Sequence, residues 1–222
     1  MTITQLHIDK VLKFAQPEGN PVLQIAPLIL SSNEIPTLWL EVLSAPVPRI
    51  AVIDKLWLPM KDRLPHLIDI LRKNLQGVGL LTTNKKPPSL IYFFSDGDLG
   101  FSYRGFVPTT VQHPAAKNLP QEFLDFYANV HDGWRDHVST GMGPYAVSEW
   151  CPLSPNLDEP AGKFLVFFNN GGTVLMGYDL EESPPLCYIL WGDEDEPPEL
   201  VPDIWKRLDT WISDYLQDCD PV

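Results

Sequence analysis

A chain of 222 residues with 44% hydrophobic side chains has enough apolar surface for a sizeable core, which excludes global disorder. Its 23 prolines against 14 glycines favour many short elements joined by stiff turns over a helical bundle. A formal charge of −13 sets the chain against nucleic acid and anionic membrane as partners.

The charge is unevenly spread. Residues 1–118 carry 12 Lys/Arg against 9 Asp/Glu, whereas residues 119–222 carry 4 against 20. A C-terminal half at −16 attracts basic proteins and speeds their encounter, although acidity also serves solubility alone. Three cysteines, Cys151, Cys187 and Cys219, have no CxxC spacing. That argues against a disulfide framework or zinc ribbon and for reduced thiols. The start, MTITQLHIDKVLKF, lacks a basic stretch followed by an apolar run, so no signal peptide is expected. Segments such as VLQIAPLIL and FLVFF are too short or too interrupted to span a bilayer, and a soluble, cytoplasmic protein is the expectation.

Residues 1 to about 60 read as short strands and loops, because PVLQIAPLIL, TLWLEVLSA and RIAVIDKLWL are apolar runs punctuated by proline. A first helix follows, with Asp62 as its cap, Leu64, Leu67, Ile68, Leu71 and Leu75 on one face, and Gly77 at its end. SLIYFFSD and GFSYRGFV predict two strands joined through Asp96-Gly97-Asp98. In LPQEFLDFYANVHDGW, Pro120 suits a first helical turn and Phe123, Phe126, Tyr127 and Val130 form an apolar stripe. Asp132-Gly133 ends that helix. KFLVFF and TVLMGYDL predict strands around the Asn169-Asn170-Gly171-Gly172 turn, LCYILW a third strand, and GDEDEPPE an acidic loop. The last element is an amphipathic helix with Val201, Ile204, Trp205, Leu208, Trp211, Ile212 and Tyr215 on one face. Trp205 and Trp211 are expected in the core.

This order resembles the SMI1/KNR4 (SUKH) superfamily over residues 105–220. The resemblance rests on LPQEFLDFYANVHDG as a helix with a polar-Gly exit, NNGGTVLMGYDL and LCYILWGDEDE as successive strands, and IWKRLDTWISDYL as the closing helix. NNGG stands where the family commonly has an Asp-rich strand entry. The resemblance implies an α+β fold, a mixed or antiparallel sheet flanked by helices, over residues 105–222. Residues 1–104 form an N-terminal, strand-rich extension with one helix. For bacterial members it implies an immunity protein that neutralises a cognate secreted toxin, a basic, cytosol-acting nuclease by the charge argument. For eukaryotic relatives it implies a regulatory binding or scaffold module.

Motifs for chemistry are sparse. HDGWRDH offers His131, Asp132, Asp136 and His137, but without the HExxH spacing that aims two ligands from one helix face, so no metal is expected. Both histidines read as loop residues. The serines lie in no G-x-S-x-G elbow, and no G-x-G-x-x-G or Walker lysine is present, so neither catalysis nor a cofactor is expected. A hydrolase using Asp/Glu or His clusters remains the rival reading and requires a cleft with perturbed carboxylates. Partner contacts are expected from the acidic loop, Trp191 with Asp193, Glu194, Asp195 and Glu196. Further contacts are expected from Asp132, Trp134 and Glu149.

Overall fold

The computed structural model describes residues 3–28, 35–97, 99–153, 162–192 and 196–222. Within them the chain is α+β, with two antiparallel sheets flanked by helices. The first sheet is a meander of β1 (Val22–Ile25), β2 (Gly77–Thr82), β3 (Ser89–Asp96), β4 (Leu99–Phe106) and β5 (Asp132–Asp136), in that order. The second is built on β8 (Phe164–Asn169), with β9 (Leu175–Asp179), β10 (Leu186–Leu190) and β11 (Glu199–Leu200) following on one side. On its other side β8 pairs with β6 (Gly143–Pro144) and β7 (Cys151–Leu153). No helix among the described residues is long and apolar enough to cross a membrane.

The strand β3 explains the layering. Its sequence is apolar without alternation because both of its faces are covered. Leu90, Tyr92 and Phe94 face the main core, which α4 (Pro65–Asn74), α5 (Gln121–Asn129), α6 (Ile204–Leu216) and the second sheet complete. Ile91 and Phe93 face a smaller core with Val11 and Ala15 of α1 (Gln5–Ala15). The main core draws on residues from Ile35 to Cys219, and the position between residues 104 and 105 falls inside β4.

The N-terminal 60 residues depart from the strand-rich expectation. Of the three runs read there as strands, only part of the first forms one, Val22–Ile25. TLWLEVLS is α2 (Thr37–Ser44), and Pro48 opens α3 (Pro48–Ala51), which continues into a π-helical turn at Val52–Leu56. The physical reason is the burial pattern. Trp39, Val42 and Leu43, then Val52, Ile53, Leu56 and Trp57, recur at three- and four-residue steps and bury one side of a helix. A short apolar run does not by itself distinguish that from a buried strand.

Both ends of α4 also differ from expectation, and Gly77, expected to end the helix, instead opens β2 while the helix stops at Asn74. The helix α4 starts at Pro65, and its first N–H groups are capped not by Asp62 but by Asp209 of α6. That carboxylate accepts from His66 N at 3.2 Å and Leu67 N at 2.8 Å, and from His66 Nδ1 at 2.7 Å. At the other end Asn74 Nδ2 donates to the carbonyls of Leu216 and Cys219, so α4 and α6 are clamped at both ends. On α6 the buried face is Trp205, Leu208, Ile212 and Leu216. Trp211, expected in the core, is half-buried at its edge, stacked on Phe168 and beneath Arg207.

A chain of hydrogen bonds fixes the centre of the main core. Trp57 Nε1 donates to the Tyr92 hydroxyl at 3.0 Å, and that hydroxyl lies 2.6 Å from His131 Nε2. His131 Nδ1 lies 3.2 Å from the Phe106 carbonyl. The carbonyl can only accept, so Nδ1 carries the proton, Nε2 is the bare acceptor, and Tyr92 donates to it. His131 was expected on an exposed loop, yet it is fully buried. Its ring fits because Gly105 of β4 has no side chain; a Cβ there would lie 2.4 Å from the imidazole.

Burial pulls the His131 pKa from 6.5 down to about 3, although the bond to Phe106 favours the charged form. A histidine depressed on folding gives the unfolded state the extra proton. Its stabilising contribution is therefore whole above 6.5 and is lost as pH falls towards 3. Between pH 7.5 and 5.5 that loss is about 1.4 kcal/mol for this group. Urea unfolding of His131→Gln should show a pH dependence smaller than the parent's by about this amount. Identical slopes would mean that the ring is not held neutral.

Candidate functional site

Strand pairing decides where the segment around HDGWRDH points. Its residues 132–136 form β5 rather than the expected helix-end loop, paired to β4 with Trp134 opposite Gly105 and Arg135 opposite Arg104. The register shifts between Gly105 and Phe106, so that Phe106 faces Asp132 and Gly133 is the extra residue, with φ +74°. A bulge of this kind re-aims the side chains beyond it. Trp134 points into the main core, 1% exposed, 4.9 Å from Trp57 and 4.2 Å from Tyr103 between ring centroids. The expected partner contact through Trp134 is thereby corrected to packing, since its strand face is the covered one.

The opposite face of β4 and β5 carries charge. Arg104, 4% exposed, donates from Nη1 and Nη2 to both oxygens of Glu18 at 2.7 and 2.8 Å and from Nε to Ser89 Oγ at 2.8 Å. Its guanidinium also lies 4.3 Å over the Phe106 ring. Burial alone would raise the Glu18 pKa, but the hydrogen bonds and charge of Arg104, with His137 and Lys86, lower it. Beside this pair Arg135 donates to Glu149 Oε1 at 2.9 Å. Two arginines directly opposite on neighbouring strands would repel; each is instead matched by its own glutamate.

Phe14, Glu18, Arg104, Phe106, Arg135, His137 and Glu149 enclose a polar cleft of about 190 Å³. Asp132 lies close enough to feel the charge of Glu149, and one of its oxygens accepts from Val147 N at 2.7 Å. Burial, and then Glu149, push its carboxyl above the ordinary value. Asp132 and Glu149 thus do come together, although nothing in their sequence spacing announces Glu18, Arg104 or Phe14 as neighbours. Asp136 is engaged elsewhere. Its carboxylate accepts from Val138 N, Thr140 N and the Ser139 and Thr140 hydroxyls, and so shapes the link between the two sheets.

The acidic loop is described only in part. Asp193, Glu194 and Asp195 lie outside the described residues; Trp191 is half-buried against the main core, and Glu196 is exposed. Beyond it Glu199 pairs with Arg207 at 3.3 Å. Three of the C-terminal half's carboxylates, Asp136, Asp179 and Asp209, are buried and hydrogen-bonded within the fold, so they contribute structure rather than surface. Among the described residues no three His, Cys, Asp or Glu side chains are grouped as a metal ion would require. All three cysteines are free, Cys151 exposed and the other two buried.

Comparison with protein-family models returns no match. Neither the curated proteins nor the solved structures contain a match to the chain.

Removing one member of a buried ion pair strands the other. Glu18→Ala should therefore cost about 3 kcal/mol, the low end for such truncations. Adding Arg104→Met should recover part of that loss, because an apolar side chain needs no partner. Chemical denaturation of the two variants decides; equal losses would show that Glu18 acts through packing alone.

Proposed function

We propose that the protein acts by stoichiometric binding, as an immunity-type protein that sequesters a basic, cytosol-acting protein toxin, a nuclease by preference. The observation that carries this reading is the acidic surface of the C-terminal half. Glu181, Glu182, Glu196, Asp203, Asp214 and Asp218 are all exposed, and Lys206 and Arg207 are the only Lys/Arg residues from position 164 onward. Nucleases present basic clefts to their substrates, and a surface of this sign attracts such a cleft over several ångströms before contact. The resemblance to the SUKH superfamily points the same way. The stiff exit Pro197-Pro198 limits what the acidic loop loses in entropy on binding.

The test is co-expression with the product of the adjacent reading frame. A one-to-one complex on gel filtration together with restored growth is expected. Growth arrest with no complex would remove the reading. Reversing Asp193, Glu194, Asp195 and Glu196 to Lys should slow association by at least about tenfold, the low end of electrostatic steering. The melting temperature should barely move, since exposed charges contribute little to stability. An unchanged association rate would place the contact elsewhere on the acidic half.

A further inference from the structure

At the β1 edge of the first sheet, hydrogen-bond phase shows which backbone groups are unpaired. Ala26 N donates to the Val78 carbonyl at 3.0 Å, and the register sets Val22 opposite Thr82, Leu23 opposite Leu81, Gln24 opposite Leu80 and Ile25 opposite Gly79. Antiparallel pairs alternate between bonded and non-bonded, so Val22, Gln24 and Ala26 turn their N–H and C=O groups to β2. Leu23 and Ile25 turn theirs outward, where they have no partner among the described residues. Edge strands are commonly blunted by charge or by a bulge. Residues 19–28 carry no charged side chain, and the β1–β2 register has no shift.

The side chains follow the same alternation. Leu23 and Ile25 lean over Gly79, each with a Cδ1 3.2 Å from where a Cβ would stand there, and pack on the smaller core. Val22 and Gln24 lie on the opposite face and are exposed, Val22 by 54%. On that face α3 packs against β2 and leaves Val47 and Ile50 exposed.

The segment Pro21-Val22-Leu23-Gln24-Ile25-Ala26-Pro27 has nearly the same character in both directions, with Gln24 at its centre. We propose that β1 is a homodimer interface: the β1 strands of two copies pair antiparallel about a two-fold axis at Gln24, joining two five-stranded sheets into one. In that register Leu23 faces Ile25 of the second copy as a bonded pair on each side of the axis. Four N–H···O=C bonds form and use every outward group of both strands. Pro21 and Pro27 lack the N–H that would lengthen the ladder. Leu23 and Ile25 continue the apolar surface of the smaller core into the second copy, and Val22 meets Ala26 on the other face. The two Gln24 side chains stand in a non-bonded pair, the closer cross-strand arrangement, and each amide offers the other a donor and an acceptor.

Charge favours a second copy over a charged peptide as the occupant. The strand is neutral and the acidic excess of the chain lies beyond residue 118, so two copies meet here without opposing like charges, whereas a basic or acidic segment finds no opposite charge on the strand. A two-fold interface is also closed, because pairing uses up the edge and admits no third copy. The strand lies outside the acidic half proposed to meet a toxin, and failure of either reading leaves the other standing.

The experiment is sedimentation velocity of the intact protein over a concentration series. Monomer should pass to dimer with a dissociation constant of about 100 µM or below, as suits a small interface. Gln24→Lys and Gln24→Glu each place like charges opposite one another and should weaken the homodimer about tenfold or more, while an equimolar mixture of the two should restore association. Hydrogen exchange supplies a signature of this register. The Leu23 and Ile25 amides should slow as protein concentration rises, and those of Val22 and Gln24, already bonded to β2, should not. A monomer up to about a millimolar, well past the expected constant, overturns the proposal. So does a dimer that leaves Leu23 and Ile25 unprotected, or one that both single variants form as tightly as the parent. Should the variants fail to fold, the exchange measurement on the parent protein decides.

Discussion

The hydrogen-bonded run from Trp57 through Tyr92 and His131 to the Phe106 carbonyl is the constraint on which the rest of the architecture depends. Its members come from the N-terminal helical segment, from β3, from the exit of α5 and from β4. No polar atom of the run can be withdrawn without leaving a buried partner unmet, which costs more than the bond itself contributes. The run works in one direction only, because a backbone carbonyl stands at its end and fixes the imidazole tautomer. It therefore holds His131 neutral, fills the gap over Gly105, and sets how β5 leaves α5.

That exit determines what the other face of the sheet can do. With His131 turned inward and Gly133 supplying the extra residue, Trp134 goes to the core and Arg135 to the outer face. Arg104 and Arg135 then stand opposite each other on adjacent strands, an arrangement that persists only because α1 and its following turn deliver Glu18 and the turn before β7 delivers Glu149. The main core thus creates a charged cleft on the far side of its own sheet. The acidic surface of the C-terminal half has a different origin. It arises because carboxylates outnumber the structural tasks, such as those of Asp136, Asp179 and Asp209, that absorb them.

Much of the second half was legible in the sequence. The strands at Phe164–Asn169, Leu175–Asp179 and Leu186–Leu190 follow from apolar runs divided by turn residues, and the final helix from spacing. The α5 stripe of Phe123, Phe126 and Tyr127 is buried as its periodicity requires. The first 60 residues were misread because runs such as TLWLEVLS are apolar on nearly every side, and continuous apolarity carries no period. Trp211 shows the opposite limit. Its spacing puts it on the apolar face, but at the edge of that face, where Phe168 and Arg207 cover it only in part.

By itself, then, the sequence determined the α+β composition, the strand and helix periodicities of the C-terminal half and the acidity of its surface. These are local properties: side-chain spacing, turn chemistry and the sign of the charge act through neighbours a few positions apart. Only the tertiary structure decided which groups satisfy each other across the chain. It caps α4 with Asp209, 143 positions from His66, pairs Arg104 with Glu18 across 86 positions, and through one inserted glycine decides which face of the sheet Trp134 and Arg135 each take. Burial removes water as the default partner, so each polar group must find another wherever the fold brings one, and local spacing does not encode that meeting.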